Sequence, residues 1–442
     1  MKKIINKIGL ILLGTNFLVA SCTLDYVNPN AATEAQVFST KDGLFALGIG
    51  IKQLYSTSAL SSNLLTPSVT TRETAIMTTF ANLEELENGG SSLSGENGYT
   101  ARMFARNMRV KGMAEDLLAA VPNIDLEAGT SSALVAYGSL FRAMTLGNLA
   151  QNFEQVPVLN SKDGKAEFSD RMIAYQEAVD IMNSALAGLA ANPESDDFTN
   201  FFGTDINLLN SLNAYVARYQ LALGQYDLAI AAANKVNLSS VSIFKYDAEN
   251  QNPVFTNMIF NVNYAPRDNF GLPAGLEPDA ADERVGFYLA GAATPSDVNV
   301  LPVRSINAPF FTALDAEIPV YLPGEMMLIK AEAYARKNDL VNATTELNNV
   351  LQKQAATDAF SIGANLPAYS GGNTQSEILD AIYQNRRIEL FLIGTSLEDS
   401  RRFRNMTPPA GLDFTTERNR NFYPYSEDER LNNPNIPTNP SI

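Results

Sequence analysis

The 442-residue chain contains no histidine, no tryptophan and a single cysteine, Cys22. Without histidine there is no Ser-His-Asp or Cys-His catalysis, and the commonest zinc ligand is missing. Without tryptophan the best stacking surface for sugars and cations is gone, leaving that task to Tyr and Phe. One cysteine cannot form an intrachain disulfide, so stability must come from the core. Positive charge is also short: 32 basic residues face 48 acidic ones, a net charge of −16. That balance argues against nucleic acid and against a basic membrane-facing patch. The acid–base options left to an enzyme are a carboxylate pair, a Lys or a Tyr, and no motif marks one. No cofactor and no metal site is expected.

The N-terminus reads as a bacterial export signal. Lys2, Lys3 and Lys7 precede an apolar run from Ile8 to Leu13 with Phe17 and Leu18, and Val19-Ala20-Ser21-Cys22 follows. An aliphatic residue, two small residues and then Cys form a lipobox, whose thiol receives diacylglycerol. Gly14, Thr15 and Asn16 interrupt the run, which is too short for a spanning helix of about 20 apolar residues. Residues 1–21 are therefore expected to be removed, leaving Cys22 lipidated on a tether over 22–40 and the protein anchored to the membrane rather than spanning it. The remaining chain carries 29 basic against 48 acidic residues.

From Lys41 onward the pattern is helical. Leu44, Leu47, Ile51, Leu54 and Tyr55 recur at helical spacing, as do Met103, Phe104, Met108, Met113, Leu117 and Leu118. An Ala- and Leu-rich segment runs from Leu134 to Phe153. Another, Met172 to Leu189, follows Ser169, whose hydroxyl suits an N-cap. Two further stretches can be laid over each other, one from Ala217 through Gly224 and Tyr226 to Ala229, the other from Ala331 through Asn338 and Leu340 to Ala343. In each, a small-residue helix ends at Gly or Asn, the residues most tolerant of a left-handed cap, and a small Ala then admits a second helix. This is the logic of a tetratricopeptide (TPR) hairpin. The copies lie 114 residues apart, so they are not tandem. Two stretches break the pattern: Leu60 to Thr100, rich in Ser, Thr, Asn and Gly, and Val241 to Phe311, with seven prolines among aromatics and Asn. Long irregular segments are usually functional. A Pro- and Asn-rich tail occupies 405–442.

Further motifs follow one another along the chain. Ile318-Pro319-Val320-Tyr321 with Glu325 and Ala331-Glu332-Ala333 is similar to the proline-to-"A-E-A" block of the SusD/RagB family of outer-membrane lipoproteins. Arg386-Arg387-Ile388-Glu389-Leu390, Gly394, Asp399, Arg401 and Arg402 resemble its arginine-rich helix. Asn433-Pro434-Asn435-Ile436 and Asn439-Pro440 resemble its closing segment. Arg142-Ala143 through Val156-Pro157, and Asp282-Glu283-Arg284, match two earlier blocks. Ile393 and Ser396 stand where the family has Glu and Arg, departures that bear on the ion network there and not on the fold. Read from the residues alone, the arginine-rich segment cross-braces neighbouring elements, its long stems packed and its heads paired.

The resemblance implies a mainly α fold of degenerate TPR hairpins, an α–α superhelix, with long loop insertions carrying minor β. It implies one domain over 41–442, with helices near 41–58, 101–240 and 318–404, and insertions near 60–100 and 241–311. It also implies a surface-exposed nutrient-binding lipoprotein, not an enzyme, that captures oligosaccharides or peptides for a SusC-type TonB-dependent transporter in the outer membrane. Surface display rests on the resemblance, since only Asp25 stands close after Cys22 as an acidic export cue. Such a site is a cleft with aromatic faces and polar groups. By residue type, its candidates are Arg72, Asn82 and Tyr99 in the first irregular stretch and Tyr264, Asn269 and Tyr288 in the second. A scaffold lipoprotein of an outer-membrane assembly complex, presenting a concave TPR surface, is the alternative. A carboxylate-pair glycosidase would need two acids about 5 to 10 Å apart.

Overall fold

The computed structural model describes residues 37–442; Cys22, the leader and most of the tether lie outside them. The first described helix, α1 (Lys41–Leu54), opens on Thr40, whose hydroxyl accepts from Gly43 N at 3.1 Å. It passes through a π-helical turn, Tyr55–Ala59, directly into α2 (Leu60–Thr70). The chain continues through β1 (Thr74–Ile76), α3 (Ala81–Asn88), α4 (Gly98–Ala120), α5 (Ala128–Asn152), β2 (Gln155–Pro157), β3 (Phe168–Asp170) and α6 (Arg171–Ala191). Next come α7 (Asp196–Phe202), α8 (Leu208–Ala222), α9 (Tyr226–Ala233), β4 (Ile243–Phe244), α10 (Pro253–Phe255), a second π turn (Thr256–Phe260) and β5 (Tyr264–Pro266). The last part holds α11 (Glu283–Tyr288), β6 (Leu289–Pro295), β7 (Pro302–Ile306), β8 (Ile318–Pro319), α12 (Pro323–Arg336), α13 (Leu340–Leu351), α14 (Gln375–Glu389), α15 (Ser396–Phe403) and α16 (Glu427–Asn432).

Helices α4, α5, α6, α8, α9, α12, α13 and α14 pack in succession, each on its neighbours, as expected of TPR-like hairpins. Strands occur only as four two-stranded antiparallel ribbons among the described residues. One large apolar cluster runs through most of the stack, and Leu328, Ala331, Ala335, Ala343, Leu347, Val350, Ile378 and Ile382 form a second between α12, α13 and α14. Helices α5 and α8 approach so closely at Gly147 that a methyl group there would overlap the Tyr219 ring.

Gly224 and Asn338 occupy the two hairpin turns with φ of 73° and 61°. Each is closed by the same pair of bonds. Gln225 N and Gly224 N donate to Gln220 O and Leu221 O, and Asp339 N and Asn338 N donate to Tyr334 O and Ala335 O, at 2.9 to 3.0 Å. This is the Schellman pattern, and Ala229 and Ala343 are fully buried behind it. The hairpins are distant in sequence but adjacent in space, because α9 packs directly on α12. The separation of 114 residues therefore hid a tandem pair. What intervenes is an excursion closed at its base where β4 pairs with β8, Ile243 opposite Pro319 and Phe244 opposite Ile318.

Two local expectations are corrected. The Leu60–Thr100 stretch is not irregular: it contains α2, α3 and the start of α4. Every residue of α2 except Ser61 is buried. Its hydroxyls turn back on the helix or on a neighbour, Ser68 to Leu65 O (2.8 Å), Thr71 to Pro67 O (2.8 Å) and Thr70 to Tyr423 Oη (2.9 Å). A polar composition that favours loops in water is thus satisfied inside a packed helix. The cap of α6 is Asp170, which accepts from Met172 N at 2.7 Å. Ser169 instead sits in β3 opposite Val156.

The arginine-rich segment cross-braces the C-terminal helices through buried ion pairs. Arg402 grips Glu332 of α12 with Nε and Nη2 (2.6 and 2.8 Å), and Arg386 grips Asp399. Arg284 ties Asp282, Glu389 and Asn385 together. The closing Asn-Pro motifs act as clamps. Asn433 donates to Ala166 O (2.9 Å), and Asn439 accepts from Tyr425 N (3.0 Å) and Arg430 Nη2 (2.8 Å).

Candidate functional site

The two stretches singled out in the sequence meet at one place. Strand β1 pairs with β5, Ile76 opposite Tyr264 and Ala75 opposite Ala265, which seats the excursion against the end of α2 and the start of α4. Between them lies a pocket of about 380 Å³. Its walls are Thr57, Ser61, Ser62, Leu65 and Thr66 from the first helical rod, Tyr99, Arg102 and Arg106 from α4, and Gln251, Pro253, Thr256, Asn257, Asn263 and Tyr264 from the excursion. Both π-helical turns contribute to it, the first through Thr57 and the second through Thr256 and Asn257. Such turns widen a helix by one residue per turn and recur at functional sites. Close by, Val262 holds φ at 50°, a strained value for a β-branched residue.

Local chemistry explains how the wall is held. Asn97 caps α4, its side-chain oxygen accepting from Tyr99 N at 3.0 Å, while its amide donates to Asn82 O at 2.8 Å. Asn82 in turn accepts from Gly98 N at 2.5 Å. The first turn of α4 is thereby pinned, and with it Tyr99 and Arg102. The Arg102 guanidinium lies over the Tyr99 ring, 4.8 Å from its centroid, and Nε donates to Gly98 O at 2.7 Å. Arg106 donates to Ser58 O at 3.2 Å and Ser62 Oγ at 2.8 Å. Asn257 bonds Pro253 O at 2.8 Å. Burial, followed by the nearby Tyr99, pushes the Tyr264 phenol well above its ordinary pKa, so it enters the pocket as a neutral hydroxyl.

Of the six candidates, Tyr99 and Tyr264 line the pocket and the other four do not. Tyr264 is only 2% exposed, so little of its ring is open for stacking. Asn82 positions α4 from behind. Arg72 is 3% exposed and bonds Glu87 O (2.7 Å) and Asp413 O (2.9 Å), which ties α3 to the C-terminal tail. Tyr288 is fully buried and donates to Glu389 O at 2.8 Å. Asn269 closes its own turn, accepting from Gly271 N and donating to Leu272 O. Irregular-looking sequence did not distinguish residues that hold a turn from residues that face solvent. Arg102, Arg106, Asn257 and Asn263 escaped notice in the sequence, although the i, i+4 arginine pair was a visible signal. On the far side of Tyr264 lies a more apolar hollow of about 500 Å³, with Met258, Ile259, Val262 and Ala265 among its walls. Among the described residues no group of three His, Cys, Asp or Glu side chains could hold a metal ion.

A SusD family model matches residues 313–441. Solved structures share the fold over nearly the whole length. A SusD superfamily protein from Bacteroides vulgatus has a TM-score of 0.68 at 14% identity, covering 91% of this chain and 99% of that one. A SusD-like carbohydrate-binding protein from the same species has 0.68 at 14%, covering 90% and 97%. Another SusD-like carbohydrate-binding protein, from Bacteroides fragilis, has 0.67 at 12%, covering 91% and 100%. No curated protein sequence matches. The chain thus shares the mainly α fold of these structures, and its C-terminal part is similar to the SusD family.

Proposed function

We propose that the protein captures an oligosaccharide in the pocket between α2, α4 and the excursion, and hands it to a SusC-type TonB-dependent transporter in the outer membrane. The observation that carries this reading is the lining itself. Hydroxyls, side-chain amides and guanidinium groups converge on one open hollow from three separate segments, with Tyr99 on its edge. Sugars are recognised by such convergent donors and acceptors on a preformed wall. With Tyr264 offering a hydroxyl and one face of Tyr99 under Arg102, hydrogen bonding outweighs ring stacking here. None of the lining residues is acidic, so the pocket supplies no carboxylate pair for glycoside hydrolysis.

The lipobox at Cys22 would anchor the protein beside its transporter, and no helix among the described residues is long and apolar enough to cross a membrane. Solution calorimetry against a panel of oligosaccharides and peptides tests the reading. Binding of a sugar, weakened by Tyr264→Phe and by Asn257→Ala without a change in melting temperature, supports it. Binding of peptides alone would overturn it, and so would turnover of a bound sugar.

A further inference from the structure

Among the described residues the two arginines of the pocket form no ion pair with a carboxylate. Arg102 donates to Gly98 O, and Arg106 to Ser58 O and Ser62 Oγ; none of these acceptors carries a charge. The absence extends into the sequence. Acids number 48 in 442 residues, yet 43–72, 97–114 and 250–267, the three segments that wall the pocket, contain none. The walls themselves thus carry no carboxylate, Glu85 standing behind the cap of α4, where it accepts from Asn97 at 3.0 Å, while Arg102, Arg106 and Arg109 follow one another at i, i+4 and i+7 on α4. The pocket also sits beside the N-terminal turn of this 23-residue helix, the positive end of its dipole. In a chain of net charge −16 this is a local cationic well. Burial, then the neighbouring Arg102, lowers the Arg106 guanidinium from its ordinary value, so two like charges stand together without relief.

We infer that the sugar taken up by this pocket is acidic, with its anionic group seated between Arg102 and Arg106. The inference rests on the oligosaccharide reading above and narrows it. Guanidinium forks match the paired oxygens of a carboxylate or a sulfate, and planar bidentate contact adds specificity to charge. An anionic sugar is repelled by the rest of this acidic surface, so the cationic pocket both concentrates it and fixes which end enters.

Calorimetry with the purified full chain tests the inference using three sugars of equal length: an oligogalacturonate, a sulfated galacto-oligosaccharide and a neutral galacto-oligosaccharide. The expected result is that at least one anionic sugar binds ten-fold or more tighter than the neutral one. Its advantage should shrink as salt rises from 50 to 300 mM, because an exposed charge contact is screened. Arg102→Gln and Arg106→Gln should each reduce that advantage several-fold with unchanged melting temperature; should Arg106→Gln destabilise the fold, the salt series and Arg102→Gln still decide. Comparison of the carboxylated and sulfated arms identifies the anionic group. Equal or tighter binding of the neutral sugar overturns the inference and leaves the oligosaccharide reading standing, as does an anionic preference insensitive to salt and to both substitutions. Failure of all three sugars alongside tight binding of a peptide overturns both.

Discussion

Arg386 and Asp399 face each other through two parallel hydrogen bonds of 2.9 Å, Nε to Oδ2 and Nη2 to Oδ1, with both side chains about 2% exposed. Asp399 also accepts from Arg402 Nη2 at 2.7 Å, and Arg402 continues to Glu332. The pair joins α14 to α15, and the chain between them turns through Gly394 at a φ of 84°. Removing one partner leaves the other charge buried, which costs about 3–5 kcal/mol. Asp399→Asn is therefore expected to lower stability by that amount in urea unfolding. Burial alone would raise the Asp399 carboxyl, but Arg386 and Arg402 outweigh it and hold it below its ordinary value. Glu332 and Glu398 are lowered in the same way by their arginines. A carboxyl depressed in the folded state contributes stability above its unfolded pKa and loses it as pH falls through the folded one. The wild-type protein should thus lose stability below about pH 4, and the Asn variant should show a shallower acid limb.

Glu73 behaves in the opposite sense. It is 1% exposed and lies close to Ser396, at the position where the family's motif carries Arg. Burial raises its carboxyl to about 6, against the opposing pull of Arg387 and the hydrogen bonds from Ser396 and Leu392. A carboxyl raised in the folded state contributes stability below its unfolded pKa and loses it as pH rises through the folded one. Between about pH 4.5 and 6 the wild type should accordingly lose about 2 kcal/mol that Glu73→Gln does not lose. Melting temperatures of both proteins across that range, taken as a difference, check it; a pH-independent difference would contradict it.

The paired hairpin turns make a matched test of backbone preference. Gly224→Ala places a β-carbon at positive φ and should cost about 1 kcal/mol. Asn338→Gly occupies the same conformation without that penalty, so it should change stability by only a few tenths of a kcal/mol. Denaturant midpoints of the two variants should separate by that margin.

Cys22 is the sole thiol available for lipid attachment. Cys22→Ala should abolish incorporation of a labelled fatty acid and release the protein from the membrane fraction. Unchanged label in the variant would end the lipoprotein reading.

Much of this molecule was legible in the chain before any fold was seen. The helical stack, the caps at Gly224 and Asn338 and the bracing role of the arginine-rich segment depend on periodicity, on left-handed tolerance and on charge beside apolar stems. These are properties of residues close in sequence, and local physics carries them. The sequence also marked the two stretches that would build the pocket.

Only the tertiary structure decided which of their residues face it. Arg72 and Tyr288 looked like exposed loop groups, but contacts with Asp413 and Glu389, hundreds or a hundred residues away, bury them. Leu60–Thr70 looked like a loop, yet packing against α4 and α15 makes it a buried helix. The hairpins looked separate until the β4–β8 ribbon brought the chain back to its departure point. A side chain's exposure depends on what distant chain lies over it, and no spacing within the sequence carries that information.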